Sequence, residues 1–188
     1  MLTPEEFNKA VVTWTSGKAH ELNFAAHLYR GFEGWIQVSI ALDTMNEGPI
    51  LREWGYFNSV DVGRARRYYA DFALPVLTDR GDDCIALWEF KAFSQKQHSV
   101  NAMARALNND FEKYSLTQNK IVGQAGVSSG VVDVYQVLQK WLVIYYPTRE
   151  KANLQTATNN LAQAYGLTLE ATPAGAFGEI SLLFLLVT

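Results

Sequence analysis

Two apolar runs joined by a polar connection, together spanning Tyr68 to Phe93, constrain the fold of this chain more than any other feature. The first run ends near Leu77 and the second begins at Cys84, and the residues between them are rich in Asp and Gly, which favour turns. Antiparallel pairing of the two runs in a β-hairpin follows from this pattern. The sequence therefore predicts a sheet built around this hairpin.

Both predicted strands carry charged residues in otherwise apolar surroundings. Side chains alternate between the two faces of a strand, so Glu89 and Lys91 share one face with Ile85 and Leu87. Asp71 is the lone charge in the first apolar run, and pairing of the strands brings it to Glu89 and Lys91. Because isolated buried charges are costly unless they pair or bind a metal, these three residues form a candidate site.

Two carboxylates beside a lysine suit a hard cation. Oxygen ligands favour Mg²⁺ or Mn²⁺, which keep several waters and usually take only one or two protein carboxylates. The alternative is an ordinary Lys–Glu pair on a solvated sheet face, with Asp71 marking the start of a strand. The order of the other predicted elements favours the metal site over this alternative.

The spacing of Asp71 and the tripeptide Glu89-Phe90-Lys91 resembles the core motif of the PD-(D/E)xK nuclease superfamily, whose members share the restriction-endonuclease-like fold. Gly63-Arg64, followed by Arg67 to Leu74, resembles the segment that leads into this motif in bacterial members. Ala70 stands where the proline of the motif's name would be. The resemblance implies an α/β fold with an αβββαβ core, in which helices flank a central mixed sheet.

The predicted elements follow the same order, in a single domain covering residues 1–188 with its core at about residues 20–146. A helix capped by Thr3 precedes the core, and a strand covers Ile50 to Phe57. A longer helix runs from about Ala19, where Gly31 and Gly34 either divide it into two segments or permit close packing. After the hairpin, we predict a helix over Ser99–Tyr114, a short helix or strand over Val131–Gln139, and a strand over Trp141–Tyr146. A C-terminal extension follows, with a helix over residues 148–164 and strands at Leu167–Leu169 and Ile180–Val187.

The resemblance implies a metal site with Asp71, Glu89 and the backbone carbonyl of Phe90 as ligands. Members of the superfamily often add an acid from the first core helix, and Glu21 is the preferred candidate because it lies near the start of that helix. Glu33 is the alternative. Twelve residues later, it lies about 120° round an ideal helix, so the two acids cannot point to the same spot.

The implied reaction is in-line hydrolysis of DNA phosphodiester bonds with one or two Mg²⁺ ions, which leaves 5′-phosphate and 3′-hydroxyl ends. Lys91 would lie beside the metal-bound water, where it orients or deprotonates that water and offsets developing charge. Bacterial or phage restriction, repair, recombination and mobile-element defence are the expected settings, and restriction-type relatives often act as homodimers. The alternatives are a catalytically silent binding or assembly subunit with this fold, and an RNA-cleaving, toxin-type enzyme with the same site.

Candidate nucleic-acid contacts come from basic residues near the hairpin. Arg64, Arg66 and Arg67 precede Asp71 and could clamp phosphates, and Lys96 follows the second strand of the hairpin. The competing interpretation is that both segments are simply solvated. Tyr114 is a further candidate to face the site, as a helix tyrosine does in some exonuclease-like relatives, although Asp110 stands where those relatives have glutamine.

Composition narrows the expected partners and compartment. The net charge of −3 over 188 residues provides no overall attraction to nucleic acid, so any binding must depend on local basic residues and a metal. One cysteine, Cys84, cannot form an internal disulfide, and the N-terminal residues lack the pattern of a signal peptide. The run Ile180–Val187 is too short to span a bilayer. A cytoplasmic protein is expected.

Overall fold

The computed structural model describes residues 2–27, 32–44, 50–58, 67–77, 83–97, 99–123 and 133–188. The helices in these ranges are α1 (Pro4–Gly17), α2 (Ala19–Ala26), α3 (Phe32–Thr44), α4 (Val100–Leu116) and α5 (Lys151–Tyr165), with a short 3₁₀ helix at Thr148–Glu150. The strands are β1 (Leu51–Phe57), β2 (Arg67–Leu77), β3 (Asp83–Ala92), β4 (Lys120–Gly123), β5 (Asp133–Pro147), β6 (Leu169–Phe177) and β7 (Ile180–Val187). The predicted turn at residues 78–82 lies outside the described residues.

All seven strands belong to one sheet with the order β3-β2-β1-β4-β5-β7-β6. Strands β1, β2 and β3 form an antiparallel meander, and after α4 the chain returns in β5, which runs parallel to β3. The short strand β4 joins β1 to β5. Because β3 pairs with both β2 and β5, the first five strands close into a ring, while β7 and β6 extend the sheet from β5.

The predicted α/β class is confirmed, and the element order helix–strand–strand–strand–helix–strand is present from α3 to β5, with β4 as an addition. The structure decides between two pairs of alternatives that the sequence left open. The segment from Ala19 forms two helices, α2 and α3, and the strand alternative for Val131–Gln139 is confirmed from Asp133 onward, where the residues belong to β5. Exposed and half-buried residues alternate from Asp133 to Leu138 with the two-residue period of a strand, which excludes a helix there.

Helices pack against both faces of the sheet. On one face, Trp88 and Phe90 of β3 pack against α1, where the Phe7 ring lies 4.8 Å from the Trp88 ring between centroids. On the opposite face, Leu142 and Ile144 of β5 pack against α4 and α5. The two faces of the sheet therefore pack against different helices, α1 on one and α4 and α5 on the other.

The closed ring has its own small apolar interior, to which all five of its strands contribute. Ile85 and Leu87 of β3 are fully buried in it, together with Tyr56 of β1. Glu89 and Lys91 follow Leu87 on the same face of β3. The two charged residues therefore lie where the apolar interior ends, on the side of the sheet that α4 covers.

Local sequence signals determine where two helices begin. In α1, the Thr3 hydroxyl accepts a hydrogen bond from the Glu6 N–H at 3.2 Å, and the Glu6 carboxylate accepts one from the Thr3 N–H at 2.7 Å, which makes a capping box. The hydroxyl of Ser99 caps α4 in a similar way by accepting from the Ala102 N–H. Across the described ranges, no helix combines the length and apolar character needed to cross a membrane.

Candidate active site

Asp71 and Glu89 lie where the ladder between β2 and β3 opens. The ladder continues as far as Phe72 opposite Trp88, and the two acids are the next residues on their strands. At this point the backbone N–H of Phe90 donates to Asp71 Oδ2 at 2.7 Å, so a side chain replaces the ladder bond. Because the N–H and C=O of a strand residue face the same neighbour, the Phe90 carbonyl also lies on the Asp71 side.

Lys91 lies between two acids that come from helices on either side of the sheet. Its Nζ is 3.5 Å from Glu33 Oε1 on α3 and 3.4 Å from Asp110 Oδ2 on α4. The other oxygen of Glu33, Oε2, accepts a hydrogen bond from the Ala92 N–H at 3.1 Å. Glu33 therefore holds both the lysine and the end of β3 in place.

A second lysine, Lys113, contacts the site from the same helix as Asp110, α4. Its Nζ lies 2.5 Å from Glu89 Oε1 and donates to the Tyr69 carbonyl of β2 at 2.8 Å. Glu89 is buried, and the Lys113 side chain is only 16% exposed. This lysine joins α4 to both strands of the predicted hairpin.

The structure thus brings four carboxyl groups and two amines together. They are Glu33, Asp71, Glu89, Asp110, Lys91 and Lys113. When all six are ionised, four negative and two positive charges leave a net charge of −2. A partly buried cluster with this excess favours the uptake of protons or of a cation.

Burial and neighbouring charges shift the pKa values of four of these groups. Burial raises the pKa of Asp71 and Glu33, and it raises the pKa of Glu89 well above its usual range, although the lysines act in the opposite direction. Burial by itself would lower the pKa of Lys91, but the nearby Asp110 and Glu33 carboxylates outweigh it and raise that pKa. Lys91 is therefore an ammonium group at neutral pH.

The donor chemistry of the cluster fits a hard cation. In the described parts of the chain, no three His, Cys, Asp or Glu side chains converge closely enough to enclose a metal ion as they stand. Magnesium needs only one or two protein carboxylates, however, and takes water for its remaining positions. Glu89 Oε1 and Asp110 Oδ2 are buried oxygens, and the cations against them are the ammonium groups of Lys113 and Lys91, respectively. Asp71 and Glu89 are the residues that could hold the ion.

The predicted helix acid Glu21 lies elsewhere. It is on α2, its side chain is 48% exposed, and it pairs with Lys18 at 3.2 Å. The alternative acid Glu33 is the one that reaches the cluster. The prediction of Glu21 is corrected because Glu21 and Glu33 belong to two separate helices, α2 and α3, so the geometry of one continuous helix does not describe how these acids are oriented.

Tyr114 of α4 is completely enclosed and does not offer its hydroxyl to the site. The hydroxyl donates to the Trp141 carbonyl at 2.6 Å. Burial, followed by the nearby Glu89 carboxylate, raises the pKa of Tyr114 well above its usual value. This tyrosine packs beneath the cluster as part of the core.

The predicted basic contacts are only partly described. Arg67 begins β2 and is exposed, with its guanidinium 4.7 Å from the centre of the Tyr69 ring. Lys96 is exposed in the turn after β3. Arg64 and Arg66 lie outside the described residues. A cleft of about 290 Å³ opens between the start of β2 and α4, and Arg67 lines it together with groups of the cluster.

No family model, curated protein or solved structure matches this chain. The candidate site therefore depends on the geometry of its own residues.

Sequence reasoning missed the roles of Asp110 and Lys113. A signal for Asp110 was available, because it falls on the apolar face of α4 between Leu107 and Tyr114, at the helical spacing of three and four residues. A buried acid on such a face requires a charged partner. Lys113 gave no comparable signal, because a lysine near the end of a helix is usually solvated and interacts favourably with the helix dipole.

Proposed function

We propose that this protein is a metal-dependent nuclease of the PD-(D/E)xK superfamily that hydrolyses phosphodiester bonds in DNA. The observation that carries the proposal is the meeting of Asp71, Glu89 and Lys91 at the opening of the β2–β3 ladder, with a helix acid on Lys91. The strand arrangement supports it, because an antiparallel meander, a crossover helix and a strand parallel to β3 are what the restriction-endonuclease-like core requires.

Asp71 and Glu89 would hold Mg²⁺ or Mn²⁺, with the Phe90 carbonyl on the same side of β3 as Asp71. When bound, such an ion polarises the scissile phosphate and lowers the pKa of a bound water. The net charge of −2 that the cluster carries when all six groups are ionised supports this assignment, since one divalent cation would balance it. The short contact between Glu89 and Lys113 means that Glu89 must give up part of this ion pair to bind a metal.

The raised pKa of Lys91 favours one of the two roles proposed for this residue. A lysine that stays protonated at neutral pH cannot accept a proton from water. Lys91 therefore stabilises the negative charge that develops on the phosphate and orients the attacking water. Glu33 and Asp110 act through Lys91, because they hold its ammonium group from two sides. They are positioning residues for the reaction.

The test compares the unmodified protein with Lys91→Ala and Asp71→Asn on linear, circular and single-stranded DNA and on RNA, with Mg²⁺ or Mn²⁺. We expect metal-dependent cleavage of DNA to 5′-phosphate and 3′-hydroxyl ends by the unmodified protein only. Glu21→Gln is the matched control. Because Glu21 lies outside the cluster, this variant should cleave DNA at the rate of the unmodified protein. Circular dichroism of each variant establishes that the fold is retained. Cleavage by Lys91→Ala at the unmodified rate would contradict the proposal.

A second candidate is a catalytically silent subunit with the same fold. The observation that favours it is that each lysine already lies against carboxylates of the cluster, and no described set of three ligands converges. Calorimetric titration with Mn²⁺ distinguishes the two functions. A nuclease should bind the ion in a manner that Asp71→Asn and Glu89→Gln abolish, whereas a silent subunit should show no such heat. Preferential cleavage of RNA in the assay above would favour the toxin-type enzyme.

A further inference from the structure

Two exposed side chains of β2 precede the candidate site on the same strand. Arg67 and Tyr69 are two residues apart, so they share a face and their Cα atoms lie about 7 Å apart. Arg67 is exposed and the Tyr69 side chain is half exposed. Asp71, two residues further along β2, is hydrogen-bonded into the cluster, so the strand leads from the cleft to the proposed metal ligand.

Helix α4 forms the opposite wall of this cleft. Asn109, Lys113 and Leu116 line it, and Leu116 is 46% exposed although it is a large apolar residue. Tyr69 on the facing strand is 49% exposed, and the guanidinium of Arg67 lies over its ring. An aromatic ring and an apolar side chain thus border a cleft of about 290 Å³ beside a buried charged cluster.

Tyr69 differs from the other tyrosines of the neighbouring core. Tyr56 and Tyr114 are completely buried, and their hydroxyls are hydrogen-bonded to Thr117 and to the Trp141 carbonyl, respectively. Those two rings stabilise the fold. The large exposed fraction of Tyr69 means that its ring adds much less to the core, which leaves a surface available to a ligand.

The charges of the cleft favour a ligand that stacks over one held mainly through phosphates. Arg67 and Lys113 are balanced there by Asp110 and Glu112, and the chain as a whole has a net charge of −3. Tight binding of duplex DNA depends on many lysine and arginine contacts to phosphates. Proteins that hold single strands add aromatic rings on which unpaired bases stack, and an arginine often assists.

We infer that Tyr69 and Leu116 form a stacking platform for an unpaired base, and that the cleft takes a single DNA strand into the candidate site. Cleavage of the bound strand rests on the proposed function. The binding step itself depends only on the cleft. Arg67 would pair with a phosphate beside the stacked base, where its guanidinium already lies against the ring.

The experiment measures binding in the presence of EDTA, so that no cleavage occurs. A fluorescein-labelled 12-nucleotide oligothymidine and a labelled DNA hairpin of equal charge are titrated with the protein, and anisotropy is recorded. We expect the single strand to bind more tightly than the hairpin. We expect Tyr69→Ala to weaken single-strand binding about tenfold, in the range of stacking on one ring, and Tyr69→Phe to bind within about twofold of the unmodified protein.

The matched control is Phe24→Ala. Phe24 is an aromatic residue of α2 with 69% exposure, outside the residues that line the cleft, so its loss should not change binding. Equal binding by Tyr69→Ala and the unmodified protein would overturn the inference, as would tighter binding of the hairpin or no binding of either DNA. If Tyr69-dependent binding is found but metal-dependent cleavage is absent, the proposed catalysis fails and the platform stands. If metal-dependent cleavage is found but binding does not depend on Tyr69, the platform fails and the proposed catalysis stands.

Discussion

Lys113 Nζ on α4 lies 2.5 Å from Glu89 Oε1 on β3, and the two side chains are 16% and 5% exposed, respectively. A buried ion pair of this kind holds two elements in one arrangement, because either charge is costly without the other. The same ammonium also donates to the Tyr69 carbonyl of β2. Lys113 therefore ties α4 to both strands of the hairpin at the candidate site, in addition to the apolar packing of the helix.

Replacing Lys113 with Met should destabilise the protein at alkaline pH. The substitution leaves the buried Glu89 carboxylate without its cation, and breaking a buried pair in this way costs about 3–5 kcal/mol. Urea denaturation at pH 8 measures the free energy of unfolding. At pH 5 the loss should be smaller, because Glu89, whose pKa burial already raises, takes up a proton. The double variant Lys113→Met/Glu89→Gln should recover part of the stability at pH 8. An equal loss for Lys113→Met at both pH values would show that lost packing is responsible.

The free energy of unfolding should increase as the pH falls from 8 towards about 5. Burial raises the pKa of Asp71, Glu33 and Glu89 in the folded chain above the unfolded values of about 4. A group with a raised folded-state pKa contributes stability that is complete below its unfolded pKa and is lost as the pH rises through the folded pKa. Denaturation curves at intervals of half a pH unit measure this change. Glu89→Gln should flatten the dependence, and an unchanged slope in that variant would contradict the assignment.

Replacing Glu33 with Gln should reduce metal-dependent cleavage about 10- to 100-fold, the range found for residues that orient a metal site. Glu33 contributes to the raised pKa of Lys91, so the loss of its charge lowers that pKa. The alkaline limb of the pH–rate profile should therefore move to lower pH, which a purely structural defect would not cause. Glu21→Gln is the control and should keep both the rate and the profile. If only Glu21→Gln lost activity, Glu21 and not Glu33 would be the helix acid of the site, as the sequence predicted.

Replacing Gly123 with Ala should destabilise the strand ring. A Cβ atom at Gly123 would lie 2.5 Å from Trp54 Cζ2 and 2.8 Å from Tyr135 Cε2, which are ring atoms that cannot easily move. Overpacking of this kind costs about 1–3 kcal/mol. Gly17→Ala is the matched control, because a Cβ there meets no atom within 4 Å and alanine favours the helix. Thermal denaturation compares the two variants, and equal melting temperatures would contradict the close approach at Gly123.

The sequence was most informative where a short-range pattern determines the structure. Alternation along β3 placed Glu89 and Lys91 on the face of Ile85 and Leu87, and the structure has this arrangement because two of these residues are buried in the ring. Hydrophobic spacing predicted α4, and a capping threonine predicted the start of α1, and both helices are present. These features depend on neighbours within a few residues, which the sequence shows directly.

The remaining parts of the site depend on contacts between distant segments. The choice between Glu21 and Glu33 required the relative orientation of α2 and α3, because side-chain directions in one helix cannot be extrapolated to the next. The pairing of Lys113 with Glu89 requires α4 to lie across the hairpin, and helical spacing alone does not set that position. Strand β4 was missed because four residues carry too little periodicity to indicate a strand.

Closure of the first five strands also limits how two copies of the chain could associate. Since β3 pairs with β5, the outer side of β6 is the free margin at the end of the described strand order. Pro173 lies in β6, and the register shifts between Pro173 and Gly175, so this margin combines a residue that lacks an N–H with a bulge. Both features oppose the addition of another strand. A homodimer, if this protein forms one, would have to associate through side chains rather than by continuing the sheet from one copy into the next.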